Sequence, residues 1–123
     1  MGKNSRRLDF LRKITTLLII AERHGIDLVC TCFDRSAAEQ FECYQKGRTA
    51  PGKIVTNCDG YKKRSAHQDW EAWDILIIKD GEPVWPRTKE YEALGEIWKK
   101  VFDGIWGGDW EDLNDIYHFQ LGD

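Results

Sequence analysis

Between Ser5 and His24, Leu11, Ile14, Leu18 and Ala21 recur at three- and four-residue steps, while Arg6, Arg7, Arg12, Lys13 and Glu22 fall mostly elsewhere. This period predicts an amphipathic helix. Gly25 suits the left-handed position just past a helix end, and His24 sits at the negative end of the helix dipole, which accounts for it without a ligand role. Ile26 to Phe33 alternates loosely and is rich in β-branched and small apolar residues, predicting a buried strand. Ser36-Ala37-Ala38-Glu39 is a capping box, opening a helix to about Lys46 that Gly47 closes. Residues 49–64 read as loop, with Pro51-Gly52 and Asp59-Gly60 turns around a short strand-like Lys53-Ile54-Val55-Thr56 and a basic patch at Tyr61-Lys62-Lys63-Arg64.

Ala72 to Ile78 carries the strongest strand pattern, with Ala72, Asp74, Leu76 and Ile78 on one face and Trp73, Ile75 and Ile77 on the other. Lys79-Asp80-Gly81-Glu82 predicts a hairpin into Pro83-Val84-Trp85. Thr88 can cap a helix to about Phe102 whose stripe is Tyr91, Leu94, Ile97, Trp98 and Val101. A last strand follows near Tyr117 to Leu121, with His118 and Gln120 on one face. The expected fold class is α+β, helices packed on a small, mainly antiparallel sheet, in one domain over residues 1–123 without repeat or linker.

Composition narrows the function classes. A net charge of -3 and a pI near 5.6 argue against a nucleic-acid surface. The run Leu17-Leu18-Ile19-Ile20-Ala21 is far short of the roughly 20 residues a membrane span needs, and no stable membrane association is expected. The basic opening Met1 to Arg7 lacks a small-residue cleavage site, so no signal peptide is read and a cytoplasmic start is expected. Cys30, Cys32, Cys43 and Cys58 are then expected as free thiols. Cys30 and Cys32 read as buried structural thiols, because no second Cys/His pair stands at zinc-finger spacing.

The candidate chemistry lies in two stretches. Ser65-Ala66-His67 is followed, after six intervening residues, by Asp74, and near the C-terminus Asp115 precedes His118 by three. Two neutral imidazoles and one carboxylate make a three-ligand zinc site with an open fourth position. The other carboxylate, Asp115, is then free to act as a base on water. Asp74 sits on an apolar strand, where a carboxylate is costly unless paired or bound to metal. Taken singly, each group has an ordinary reading: His67 in a loop, Asp74 paired with Arg64, His118 as a core histidine, Arg35 as a surface cation paired with Asp34 or Glu39.

As an ordered set these residues resemble the zinc D-Ala-D-Ala peptidases and L-alanyl-D-glutamate endopeptidases, a peptidoglycan-cutting group sharing its fold with lysostaphin-type enzymes and the hedgehog signalling domain. Arg35-Ser36, Glu39-Gln40 and Gly47-Arg48-Thr49 resemble the segment before its zinc motif. Leu94-Gly95 and Trp106-Gly107-Gly108-Asp109-Trp110 are similar to the run before the last ligand in its phage-borne members. The likeness extends over roughly Ile26 to Leu121. It implies zinc held by His67, Asp74 and His118, with Asp115 passing the proton of water to the leaving amine. It further implies Arg35 stabilising the oxyanion, Gln40 supporting Arg35, and Ser65 holding substrate. Where the family most often has Gly, three residues after the first histidine, this chain has Trp70. The implied activity is hydrolysis of a cell-wall stem-peptide bond beside a D-amino acid, foremost as an L-Ala-D-Glu endopeptidase of prophage-lysin type, acting as a monomer and released from the cytoplasm to the wall. D,D-carboxypeptidase or dipeptidase action and a non-catalytic zinc-binding module are the alternatives.

Overall fold

A computed structural model describes residues 2–123. Three helices pack on a small sheet: α1 (Lys3–Arg23), β1 (Asp27–Cys32), α2 (Ala37–Gln45), β2 (Ala72–Lys79), β3 (Glu82–Val84), α3 (Lys89–Phe102), β4 (Ile105–Trp106) and β5 (His118–Gln120). The strand order is β1-β2-β5-β4, with β3 also on β2, and every pairing is antiparallel. β2 is the axis of the sheet. β1 lies along one of its edges, while β5 and β3 divide the other, β5 pairing with Ala72–Asp74 and β3 with Ile77–Lys79.

Alternation along β2 and β5 sends side chains to opposite faces. Ile75, Ile77 and Phe119 point into the core with Phe10, Ile14, Leu17 and Ala21 of α1 and Tyr91, Leu94 and Trp98 of α3. Each large side chain buried this completely contributes about 1.5–3 kcal/mol. The opposite face carries Asp74 and His118. Polar anchors fix the layers: Tyr91 Oη donates to the Val84 carbonyl and accepts from the Ile77 N–H, at 2.6 and 3.0 Å, and Trp98 Nε1 donates to the Gln120 carbonyl at 2.8 Å. Arg6 of α1 grips Glu71 with two hydrogen bonds, 2.8 and 3.1 Å, just before β2 begins.

Several elements depart from their sequence patterns. The buried stripe of α1 is Phe10, Ile14, Leu17 and Ala21, because Phe10 enters a ring cluster with Trp98, Trp73 and Phe33 while Leu11 stays exposed. The predicted buried strand, β1, is an edge strand mostly open to solvent, and Cys30 is exposed. Residues 53–56 form no strand. Their neighbourhood is held by side chains instead, with Arg48 donating to the Thr56 carbonyl and Gln40 to the Cys58 carbonyl. Thr88 precedes α3, but its side chain makes no capping bond. On α3, Val101 is exposed and Gly95 is buried in the packed face, because the Trp106 ring occupies the place of a side chain: a Cβ on Gly95 would lie 2.2 Å from it. No helix among the described residues is long and apolar enough to cross a membrane.

Candidate metal centre

The site starts from a turn that aims one imidazole. A 3₁₀ turn over Ala66–Asp69 begins at Ser65, whose Oγ accepts the His67 N–H at 3.3 Å. Gln68 returns the bond, its Oε1 accepting the Ser65 N–H and its Nε2 donating to the Gly60 carbonyl, both at 2.9 Å. The turn ends at Trp70 in the left-handed conformation, φ 60 and ψ 39. That geometry gives the family's glycine at this position a physical reason, since an L side chain there costs about 1–2 kcal/mol. Trp70 is held outward, half-exposed, under the Arg7 guanidinium at 3.9 Å, and its ring leaves the turn uncrowded.

His67, fixed in this way, sits 2.8 Å by its Nδ1 from the Phe33 carbonyl. Nδ1 must carry the proton in that bond, which leaves Nε2 with a lone pair. Nε2 faces Asp74 Oδ1 at 3.3 Å.

The second imidazole comes from β5. Asp115 and His118 close a tight turn, the His118 N–H reaching the Asp115 carbonyl at 3.2 Å and Asp115 Oδ1 accepting the Tyr117 N–H at 3.1 Å. This local bond explains the three-residue spacing of carboxylate and histidine. Gly107 lies against the turn, where a Cβ would come 2.4 Å from the Asp115 carbonyl. His118 Nε2 is 2.7 Å from Gln120 Oε1, so it donates there, and Nδ1 faces the same Asp74 Oδ1 at 3.2 Å. Trp110 packs over the ring, centroids 4.9 Å apart.

Two neutral imidazoles thus turn bare nitrogens toward one carboxylate oxygen. Such a cluster of lone pairs is unfavourable unless a cation sits among them, either protons on the rings or a metal. The donor set N, N, O, with each imidazole's remote nitrogen committed to a carbonyl-type acceptor, fits zinc. The donor atoms of Asp74, Asp115 and His118 lie within 4.8 Å of one another, as do those of Cys32, His67 and Asp74.

Without metal, the protons fill the gap. Burial disfavours the His67 cation, but hydrogen bonds to Asp74 and Cys32 and the Asp74 charge outweigh it, and its pKa is pushed up to about 10. Burial works against the Asp74 carboxylate too, yet the hydrogen bonds from His118 and His67 hold it far below the usual range. Asp115 moves the other way. Burial, then repulsion from Asp74, raises it above an ordinary carboxylate.

Arg35 does not pair with Asp34 or Glu39. Its Nη1 donates to Gln40 Oε1 at 2.7 Å and its Nη2 to Cys32 Sγ at 3.2 Å, and Nη2 lies 4.0 Å from Asp74 Oδ2. Gln40 is fully buried and spans to the Cys58 carbonyl at 2.9 Å, so it fixes the guanidinium. His67, Asp74, His118, Asp115, Arg35 and Ser65 all line one cavity of about 490 Å³. Asp74 meets no Arg64, which pairs with Asp69 at 2.8 Å.

Three participants escaped the sequence pattern. Cys32, expected as a buried structural thiol, is half-buried, touches Arg35 and lies 3.8 Å from His67 Nδ1. The hydrogen bond from His67 and, against burial, the nearby cationic charges lower its thiol pKa. Gln120 orients His118, and its place on the same strand face, two residues on, was the available signal. Trp110 covers His118 from a loop, and the sequence marked it only as the end of the Trp106–Trp110 run, without a role at the histidine.

The family model described as D-alanyl-D-alanine carboxypeptidase matches residues 59–121, the span containing His67, Asp74, Asp115 and His118. In sequence the chain is 36% identical over 109 residues to the peptidoglycan L-alanyl-D-glutamate endopeptidase CwlK of Bacillus subtilis. That alignment takes in 82% of this chain and 64% of CwlK, so the chain spans a little under two thirds of that relative's length. The structure of the Serratia marcescens L-Ala D-Glu endopeptidase ChiX is similar with a TM-score of 0.66 over 92% of this chain and 77% of that one, at 24% identity. At that identity the likeness is one of fold.

Proposed function

Because the chain belongs to the D-alanyl-D-alanine carboxypeptidase family of metallopeptidases, we propose that it is a zinc peptidase cutting the L-Ala-D-Glu bond of peptidoglycan stem peptides. The observation that carries this reading is the convergence of His67 Nε2 and His118 Nδ1 on Asp74 Oδ1, at 3.3 and 3.2 Å, with Asp115 alongside. Zinc bound by His67, Asp74 and His118 supplies Lewis acidity toward the scissile carbonyl and acidifies water.

The remaining chemistry belongs to side chains. Asp115, raised by its buried and anionic surroundings, takes a proton as water adds to the carbonyl carbon, and returns it to the departing nitrogen as the C–N bond breaks. The products are one carboxylate and one amine. The Arg35 guanidinium, aimed into the cavity by Gln40, stabilises the oxygen on which negative charge develops. Ser65 holds the His67 turn and offers its hydroxyl at the cavity wall to the substrate backbone.

The choice of an internal bond is supported by the shape of the site. A second cavity of about 190 Å³ shares Asp74 and Asp115 with the first, which offers space for a chain on both sides of these carboxylates. Residues 1–123 would act as one monomeric catalytic domain. The likeness of residues 106–110 to phage-borne members supports a lysis enzyme that leaves the cytoplasm to reach the wall.

The test is metal analysis of purified protein with mass analysis of muropeptides after incubation with peptidoglycan. One zinc per chain and fragments ending at L-Ala are expected. Loss of a terminal D-Ala would mean a carboxypeptidase, zinc without cleavage a binding module, and absence of zinc would refute the site.

A further inference from the structure

The two cavities that share Asp74 and Asp115 differ in chemistry. The larger holds the cations Arg35 and Lys46 against one additional acid, Asp112. The smaller is lined by Ile75, Leu76, Thr31, Tyr117 and Trp85, and among the described residues the shared carboxylates are its only charges. The larger cavity thus offers an anionic segment cationic partners, and the smaller offers none.

Trp85 forms an open shelf there, with 60% of its surface exposed. It stands just beyond β3 and is held in place: the Tyr117 hydroxyl donates to its carbonyl, and the two rings meet edge to face at 6.2 Å and 82°. Tyr117 in turn lies against Tyr91, centroids 5.5 Å apart, which anchors the pair to the core. Among the described residues nothing covers this exposed indole, which stands on a braced wall beside the candidate site. A flat face of C–H groups with polar groups around its rim, as a pyranose ring presents, matches it.

Resting on the activity proposed above, we infer that this shelf binds the glycan-bearing side of the scissile bond, with the muramyl ring laid on Trp85. In peptidoglycan, L-Ala is joined to the neutral amide-linked end of the muramyl lactyl group, whereas the acidic groups begin at D-Glu. The uncharged side fits the aromatic cavity and the acidic side the one with Arg35 and Lys46. This sets the direction in which substrate lies across Asp74 and Asp115.

The experiment compares the zinc-loaded wild type with Trp85→Ala and Trp85→Phe on two substrates, a muropeptide and the sugar-free peptide of the same sequence. Trp85→Ala should raise KM for the muropeptide about three- to tenfold, the worth of one aromatic stack. Its kcat, its zinc content and its KM for the free peptide should stay unchanged, and Trp85→Phe should recover most of the loss. The high exposure of Trp85 leaves folding intact. An equal KM change on both substrates, or none on the muropeptide, overturns the shelf while leaving the peptidase reading in place. A wild type that cleaves neither substrate overturns the peptidase reading and the shelf with it.

Discussion

Asp74 and His118 lie directly opposite one another in the β2–β5 ladder, and His118 Nδ1 is 3.2 Å from Asp74 Oδ1. Register alone brings together two residues 44 apart in the chain. A slip of one residue would send His118 into the core and Phe119 to the site. The meeting of these two side chains is therefore as firm as the strand pairing.

Because Gln120 Oε1 fixes which His118 nitrogen is bare, Gln120→Ala should weaken zinc binding about 10–100-fold, as loss of such orienting partners typically does. Circular dichroism should show the fold unchanged. His67→Ala, Asp74→Ala and His118→Ala, removing donors themselves, should each abolish stoichiometric zinc in metal analysis.

Metal binding should be tied to pH through His67. With the pKa at about 10, the metal-free protein holds this proton at neutral pH and must release it to zinc. Calorimetry in buffers of different ionisation enthalpy should show about one proton released per zinc near pH 7. In the metal-free protein, the raised His67 contributes stability that is complete below its unfolded value of about 6.5 and lost as pH rises through about 10. Asp74 is lowered, so its contribution is present above about pH 4 and lost as pH falls through its folded value. Metal-free thermal melts should be highest between those limits, and saturating zinc should remove the alkaline decline.

Asp115→Asn should lower kcat by about 10²–10⁴, the usual worth of a positioned acid–base group, with zinc retained. A carboxyl raised by burial makes the ionised fold less stable as pH rises. The Asn variant should therefore melt at the same or higher temperature than wild type near neutral pH. A variant that loses its zinc would instead make Asp115 a ligand.

Arg35→Ala should reduce kcat about 10²–10³-fold, as removal of an oxyanion donor does, with KM and metal content little changed. Gln40→Ala should do less to kcat but lower stability by about 1–3 kcal/mol, since it leaves buried groups without partners. Denaturant titration beside steady-state kinetics separates the two effects.

At Trp70 two small terms oppose. Replacement by Gly relieves about 1–2 kcal/mol of left-handed strain but forfeits the stack under Arg7, worth about 0.5–1 kcal/mol at an exposed site. Trp70→Gly should therefore be neutral or slightly stabilising, whereas Trp70→Val should destabilise. Urea unfolding measures both.

Local patterns were legible in the sequence wherever short-range physics governs. The period of 3.6 marked α1 and α3, the Ser36–Glu39 box opened α2 as drawn, and alternation put Asp74 on the face of β2 opposite Trp73, Ile75 and Ile77. The cost of an isolated carboxylate on that strand flagged Asp74 before any partner was visible. His67, Asp115 and His118 became a set through their order and family likeness, not through any local signal.

Tertiary packing decided the rest. Which turn of α1 faces inward depends on the Phe10, Trp73 and Trp98 rings, and whether β1 is buried depends on its being an edge, which no strand reveals about itself. Arg35 turns from Asp34 and Glu39 to Gln40 and Cys32, five and three residues away, because α2 and β1 hold those groups within reach. The bare nitrogen of His67 is likewise assigned by the Phe33 carbonyl, 34 residues away, once the chain has closed, whereas that of His118 is set by Gln120 on its own strand. Composition and periodicity determine the elements, because those energies act within a few residues; the meeting of His67, Asp74 and His118 depends on the β2–β5 register and on the distant Phe33 carbonyl, and exists only when the sheet does.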